Sequence, residues 1–473
     1  MAITYIGGHD TDNFTPAFNQ VNYYFDSTNK NQAGFRYVVD LYLSGTATKI
    51  WEGRIAPRIG DGYGFIPLMG ILSKQVSYET DVTLTASNAV NSWFKFDLKI
   101  GEEFVTNYQM DISESRFPNG LYTIYTMAVS SVFIVGDQVE VHDTAGGVVG
   151  LFTVLEVSTT EVTVDLIWDG NVVTQVGYIV YADSRKTITR DLSTHTATVY
   201  NGALSNIDFI TLSNSLFKIA GASATNRLLT NLPSTGFRIT DTQDLWVNVG
   251  NFYLTTAYYM YFQNDAGDTL RKKLGSSTSS PIRQVSVGAG NLGSLSVVSG
   301  TAPLIKDDTT KYVFWVTDSA GVQLSKGYII DIDRRCLISG IEVVFLDRMG
   351  SLSSFAFQLR NQKSVSVKRE SFTKSLGEVS SGKWRYTNVD GGKTTTGIAM
   401  DEDYTIRTNW ITDEQSVYFE ELVTSPFVLM KLNEVYYRVE VLDNSVVVER
   451  TLDKSMIKKQ LSIRMANQTN INI

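Results

Sequence analysis

The chain has 473 residues, 43% apolar and 11% aromatic, which excludes intrinsic disorder and implies several hydrophobic cores in roughly three or four domains. Its 41 basic and 49 acidic residues give a net charge of −8 without a single-sign block, so the clustered cations of a nucleic-acid interface are not expected. The one cysteine, Cys336, excludes an intrachain disulfide framework and a zinc site built from several cysteines.

Residues 1–10 carry neither the basic segment nor the apolar run of a secretory leader, and His9-Asp10-Thr11-Asp12 reads as a polar loop. Strand signals then dominate. Residues 35–43 are aromatic and β-branched, stop at Ser44-Gly45, and are followed by a partly alternating return strand over 50–55. After the turn at Asp61-Gly62, a short helix is predicted over 68–75. The apolar run 127–135 falls far short of the roughly 20 residues of a membrane helix, so no span is expected. Short alternating strands at 135–141, 151–157 and 161–166, joined by small polar turns, predict a compact β-barrel over 130–183.

Further along, 257–262 and 311–316 repeat the first pattern: an aromatic strand runs into Asn264-Asp265-Ala266-Gly267 or Asp318-Ser319-Ala320-Gly321. These echoes read as hairpins of duplicated β-sandwich domains, spaced too irregularly for a solenoid or propeller. Thr412-Asp413-Glu414-Gln415 has the form of a capping box, with two carboxylates in the first turn of the helix it opens. Tyr418 and Leu422 give that helix an apolar stripe, and Ser425-Pro426 ends it. The polar end, 467–473, reads as a frayed terminus.

Motifs that carry chemistry fail on context. Gly288-Ala289-Gly290-Asn291-Leu292-Gly293 has the letters of a dinucleotide fingerprint, but the residues after it are strand and turn material, and the helix N-terminus that would hold a pyrophosphate is missing. Gly392-Lys393-Thr394 resembles the end of a phosphate-binding loop, yet Thr387 stands where that loop needs glycine, so 388–392 reads as a hairpin tip. The three histidines, His9, His142 and His195, lie in separate segments without metal-ligand spacing. Asp401-Glu402-Asp403, and Asp331 with Asp333, offer carboxylates for a cation or for sugar hydrolysis, but they lack the alternate oxygens and turn glycine of a calcium loop. The 24 Tyr, 23 Phe and 7 Trp fall mostly within alternating strands, where sandwich cores account for them.

Several segments together resemble a family of virion proteins of tailed Bacteroidota phages, including the crAss-like phages. They are Asp61-Gly62-Tyr63-Gly64-Phe65 leading into Ile71-Leu72, then Asn201-Gly202-Ala203-Leu204 and Leu229-Thr230-Asn231-Leu232-Pro233. The strand–turn–strand run 341–351 with Phe355 and Phe357, the helix segment 410–426 and the strand 461–467 complete the set in consistent order. The segment 130–183 falls outside these markers, in keeping with an insertion. The resemblance implies a tail or baseplate component with no catalytic residues to carry over.

The sequence thus predicts a mainly β chain of several antiparallel β-sandwich domains, with an inserted small β-barrel and one or two short helices. The expected divisions are a first domain over 1–129 completed at 184–250, the barrel at 130–183, a central sandwich at 251–345, and a C-terminal β domain at 346–473 with its helix near 412–424. The expected role is a non-enzymatic subunit of a tail hub or baseplate, without cofactor, metal or catalytic residues. It would be made in the host bacterial cytoplasm and carried in the virion, in a homo-oligomeric ring contacting other tail or collar proteins and tail fibres. The alternatives are a receptor-binding fibre or spike that recognises a surface glycan, and a polysaccharide depolymerase. No nucleic acid and no membrane span enter the expectation.

Overall fold

The computed structural model describes the chain except residues 1–2, 9–13, 33, 79–81, 83–85, 107–108, 117–121, 128–132, 143–144, 146–147, 167–177, 182–184, 206–208, 210–216, 218, 220–224, 251–256, 276–280, 295–296, 336–339, 375–376, 386–391, 444, 446, 448–456, 468 and 473. His9, Cys336 and the tip at 388–391 therefore lie outside the described residues. The fold is mainly β, in several predominantly antiparallel sheets. It divides into two compact units: residues 1–12, 21–68 and 95–197 form the first, and 13–20, 69–94 and 198–473 the second.

In the first unit, the aromatic strand Arg36–Leu43 pairs antiparallel with Lys49–Ile55 on one side and with the long strand Trp93–Thr106 on the other. The first hairpin expected from sequence is therefore present. Tyr37, Val39 and Leu41 alternate into the core with Phe96, Leu98 and Ile100. A three-stranded sheet of Ile3–Gly8, Asn22–Ser27 and Gly64–Pro67 adds Tyr23 and Phe25 to the buried residues. Asp40, buried in the middle of its strand, accepts a hydrogen bond from Arg190 Nη1 at 2.7 Å and lies 3.2 Å from Lys49 Nζ, so its charge is compensated.

The same unit holds a closed antiparallel barrel. Its strands run round the ring as Thr123–Met127, Glu161–Val164, Val148–Val157, Gln138–His142, Tyr178–Tyr181 and Gln109–Arg116, the last closing onto the first. Ile112, Tyr125, Val139, Val141, Val154, Val162, Val164 and Ile179 fill the interior, with Phe133 packed among them. The barrel begins earlier than the expected residue 130, because two of its strands lie within 109–127. Their alternation continues that of the preceding strand, so hydropathy alone gives no boundary. The chain enters the barrel from Trp93–Thr106 and leaves into Arg185–Tyr200, which are neighbours in one sheet. The barrel is thus an insertion at the end of a long hairpin.

The second unit contains a six-stranded sheet in the order Phe237–Thr240, Tyr328–Asp333, Lys311–Thr317, Tyr258–Asn264, Thr269–Gly275 and Val297–Gly300. The second and third aromatic hairpins stand side by side here, with Tyr259 opposite Thr317 and Asn264 opposite Tyr312. They are neighbours in one sheet. A further sheet runs from Leu352–Phe357 through Ile341–Leu346, Val428–Leu432, Val435–Val441, Gln460–Met465 and Gly392–Arg407 to Gln362–Lys374, with Thr469–Asn472 paired beside Gly392–Arg407. One hydrophobic core joins residues of both sheets, including Met260, Phe262, Phe314, Val343, Phe345, Phe355 and Ile463. The expected division at 345/346 falls inside the strand Ile341–Leu346 and inside this core. Strand spacing along a chain does not reveal which sheets will face each other.

The helix Asp413–Val423 forms as expected, with both capping-box bonds present: Gln415 N–H donates to Thr412 Oγ1 at 3.1 Å, and Thr412 N–H donates to Gln415 Oε1 at 3.3 Å. It buries Tyr418, Phe419 and Leu422 against the shared core. The predicted helix over 68–75 is one turn, Met69–Leu72. Among the described residues, no helix is long and apolar enough to cross a membrane.

Candidate functional site

Three places in the second unit concentrate polar or exposed groups. The first is the turn after Ile341–Leu346. Asp347 is fully buried there: its Oδ1 accepts from the N–H groups of Met349 and Ser351 at 3.0 and 2.9 Å, and its Oδ2 from Thr230 Oγ1 at 2.7 Å and Asn231 N–H at 3.0 Å. Tyr418 Oη reaches the same oxygen at 3.4 Å. Burial, then the nearby Glu421 charge, pushes the Asp347 carboxyl up to about 7, against the opposing pull of those donors. Around it, Ala203 N–H donates to Arg348 O at 2.5 Å, Arg348 N–H to Glu421 Oε2 at 2.7 Å, and Ser351 Oγ to Leu229 O at 2.8 Å. Gly350, at φ +81°, packs 2.5 Å from Asn201 O where a Cβ would sit, so only glycine makes this turn without strain. A cavity of about 310 Å³ adjoins it, lined by Phe18, Tyr78, Leu346, Pro426 and the backbone near Gly202. Segments quoted separately in the sequence, 201–204, 229–233, 341–351 and 410–426, thus meet round one carboxylate.

The second place is a mixed-charge cluster. Lys431 Nζ lies 2.8 Å from Asp244, 3.0 Å from Glu434 and 3.7 Å from Glu342, and Tyr436 Oη donates to Asp244 Oδ2 at 2.5 Å. Burial, then the Asp244 charge, pushes Glu342 up to about 8. Burial alone would lower the Lys431 pKa, but its hydrogen bonds to Asp244 and Glu434 and the Glu342 charge raise it. Asn433 and Glu434 form the tip of this hairpin with φ of 49° and 64°, a left-handed pair that non-glycine residues adopt at a cost. A cavity of about 630 Å³ opens beside Glu342, Lys431, Asp333 and Arg335. Its buried groups are already paired: Asp333 accepts from Arg335 Nε at 2.7 Å, and Glu342 Oε1 accepts from Asp244 N–H at 2.9 Å. Burial raises the Asp333 carboxyl, but Arg335 outweighs it and holds it below its usual value.

The third is an arm. Gln362–Lys374 pairs with Gly392–Arg407 along its whole length, from Gln362 opposite Thr405 to Lys374 opposite Gly392. All thirteen residues are exposed, a run of about 43 Å at roughly 3.3 Å per residue. Among the described residues it is the last strand of its sheet, so one row of backbone N–H and C=O groups faces outward. Val365 and Phe372 are each 50% exposed. Beyond them the small hairpin Glu378–Ser380 with Lys383–Arg385 turns on Ser381 and Gly382 and presents Val379 and Trp384. Nothing in the sequence marked this arm, since Val365 and Val367 alternate with polar residues as a half-buried strand would.

The motifs singled out from sequence find ordinary places. The 288–293 loop lies against residues 242–245: Gly288 and Gly290 donate N–H bonds to Leu245 O at 3.1 Å and Gln243 O at 2.9 Å, and a Cβ on either would overlap that backbone. A three-residue 3₁₀ turn, Leu292–Ser294, follows it, and the buried Lys272 ammonium donates to Leu292 O. These glycines serve close packing. Gly392-Lys393-Thr394 begins the returning strand of the arm. Within 401–403 each carboxylate has a cation: Asp401 lies 3.7 Å from Lys368, Glu402 2.7 Å from Lys363, and Asp403 is gripped by Arg464 at 2.7 and 3.1 Å. Asp331 and Asp333 sit on one strand, the former opposite Lys311. His142 ends a barrel strand 3.3 Å from Glu140. The His195 ring packs tilted against Tyr5, with centroids 4.0 Å apart and Ser193 Oγ at 3.0 Å from Nε2, and burial lowers its pKa. The structure brings these candidates into no common site among the described residues, and no group of three or more His, Cys, Asp or Glu is placed there to hold a metal ion.

No protein-family model matches the chain, and no curated protein matches it. Among solved structures, it is similar to a tetra-tandem repeat from the extending region of a large adhesion protein, at 11% identity over 84% of this chain and 94% of that one, with a TM-score of 0.12. It is also similar to the native conformation of E. coli alpha-2-macroglobulin, at 8% identity over 100% of this chain and 39% of that one, again with a TM-score of 0.12. At such TM-scores neither likeness bears on fold or function. What the geometry establishes is a mainly β chain whose polar clusters are internally paired and whose long outer strand is open.

Proposed function

We propose that the chain is a structural subunit of a bacteriophage tail hub or baseplate-like assembly. In this reading it works through contact and shape, without turnover, in several copies that meet other tail or collar proteins and anchor tail fibres. The observation that carries the reading is the arm. An open row of backbone groups recruits other strands, and a protein that works alone shortens, covers, charges or bulges such an edge. This one carries Lys363, Lys368, Arg369 and a bulge after Glu370, but between them Val365 and Val367 stand exposed. Here the edge is thirteen residues long, and the small hairpin that follows it in the chain exposes Val379 and Trp384. Aromatic anchors of this kind are typical of protein–protein contacts. The convergence of the virion-protein markers round Asp347 is in keeping with one shared packed element behind the resemblance.

The test is mass spectrometry and immunogold labelling of purified phage particles encoding this chain. The expected result is a stoichiometric virion protein labelled at the tail. Its absence from purified particles would overturn the proposal, as would release of reducing ends from capsular polysaccharide by the purified chain.

A further inference from the structure

The outer edge of the arm has a pattern that selects its occupant. Two strands that pair edge to edge about a two-fold axis run antiparallel, and the axis stands perpendicular to the sheet, so facing residues share a face and the register centres on one residue. Centring on Lys368 or Arg369 would set like charges against each other, and centring on Ser366 would set Lys363 against Arg369. Among the centres from Val365 to Arg369, only the two valines avoid this. Centring on Val367 sets Ser366 against Lys368, Val365 against Arg369 and Ser364 against Glu370. That register stops just short of the bulge between Glu370 and Ser371, where the edge ceases to be regular. Centring on Val365 instead carries the pairing inward to Gln362, at the strand's root.

The neighbouring strand supports the same contact. Lys363 and Lys368 are paired with Glu402 and Asp401, which moderates the charge that two basic edges would bring together. Val365 and Val367 share a face with Glu402 and Met400, and Ile398 lies opposite Arg369 on that face. A second copy would therefore set the two Val367 side chains face to face across the axis, with each Val365 diagonal to the other copy's Val367 and with Met400 beside Val367 on the same face. We infer that the edge strand Gln362–Lys374 is a homodimer contact, in which two copies pair antiparallel about Val367 and join their sheets into one. This rests on the reading of the chain as an assembly subunit and names the partner that this surface takes.

The test uses the full chain in solution, with Cys336→Ser to remove the native thiol. Light scattering after size exclusion should give twice the 52.6 kDa of one chain. Val367→Lys should give the single-chain mass with unchanged far-UV circular dichroism, while Thr373→Lys, beyond the bulge, should leave the dimer intact. In that cysteine-free background, Val367→Cys should form an intermolecular disulfide under mild oxidation, and Val365→Cys should not, because the two Val365 positions lie four residues apart in this register. A single-chain mass for the wild type, or a dimer untouched by Val367→Lys, would overturn the contact. Cross-linking through Val365→Cys instead of Val367→Cys would overturn the register. Neither result would alter whether the chain is found in purified particles, so the dimer and the virion role fail separately.

Discussion

Two ends of the same sheet behave in opposite ways. In Ile341–Leu346 all six residues are buried, and in Gln362–Lys374 all thirteen are exposed. Both are antiparallel strands of one sheet, the first richer in β-branched and apolar residues, but composition alone does not set which is covered. Position does: the first lies between Leu352–Phe357 and Val428–Leu432 and faces the shared core, and the second has, among the described residues, a neighbour on one side only. Burial belongs to what the rest of the chain lays over a strand, and the sheet uses one end to hold itself together and the other to reach outward.

The comparison breaks most readily at Asp347. Replacing it with alanine strands the donors of Thr230, Asn231, Met349 and Ser351 in a dry turn and should destabilise the second unit by about 3–5 kcal/mol. Urea denaturation followed by fluorescence measures this, as a shift of the later or earlier transition. Next comes pH. Asp347 and Glu342 have folded pKa values raised to about 7 and about 8, above those of the unfolded chain, so the folded form holds more protons between the two limits. Their contribution is complete below the unfolded carboxyl range and is lost as pH rises through the folded values. Stability should therefore fall by several kcal/mol from roughly pH 5 to pH 9. Glu342→Gln, which cannot ionise, should flatten the upper part of that curve in thermal melts.

Smaller changes sharpen the contrast. Gly290→Ala drives a methyl group into the backbone of Thr242 and should cost about 1–3 kcal/mol, while leaving nucleotide binding absent before and after, as isothermal titration with NAD would check. Thr412→Ala removes the helix cap together with the Thr412 Oγ1 bond to Gly236 O at 2.7 Å, for about 1 kcal/mol by chemical denaturation. Phe372→Ser, on the exposed arm, should change folding stability by no more than about 0.5 kcal/mol. A large loss there would show that the arm is part of the packed body and would erase the distinction between the two ends.

Local features were legible because they act over a few residues. The aromatic hairpins beginning at 35, 257 and 311, the turn at Gly62 and the capping box at Thr412 each depend on neighbours in sequence, and each appears where the chain places it. The failed fingerprint at 288–293 was legible for the same reason, since a phosphate site needs a helix directly after its glycines. What those glycines do was not legible, because their partners are residues 242–245. Asp347 gave no signal either: an aspartate in a turn is commonplace, and three of its five donors, Thr230, Asn231 and Tyr418, are brought to it by folding from elsewhere in the chain.

By itself, then, the sequence determined that this is a β chain of hairpins with one capped helix and a small barrel, since alternation, turn residues and capping are short-range effects. Tertiary structure alone decided that two presumed domains share one core, that scattered polar residues close round Asp347, and that one valine-bearing strand is left open. The physical reason is common to all three. Alternation states that a strand has an apolar side, but whether that side meets another sheet or water depends on surfaces contributed from far along the chain.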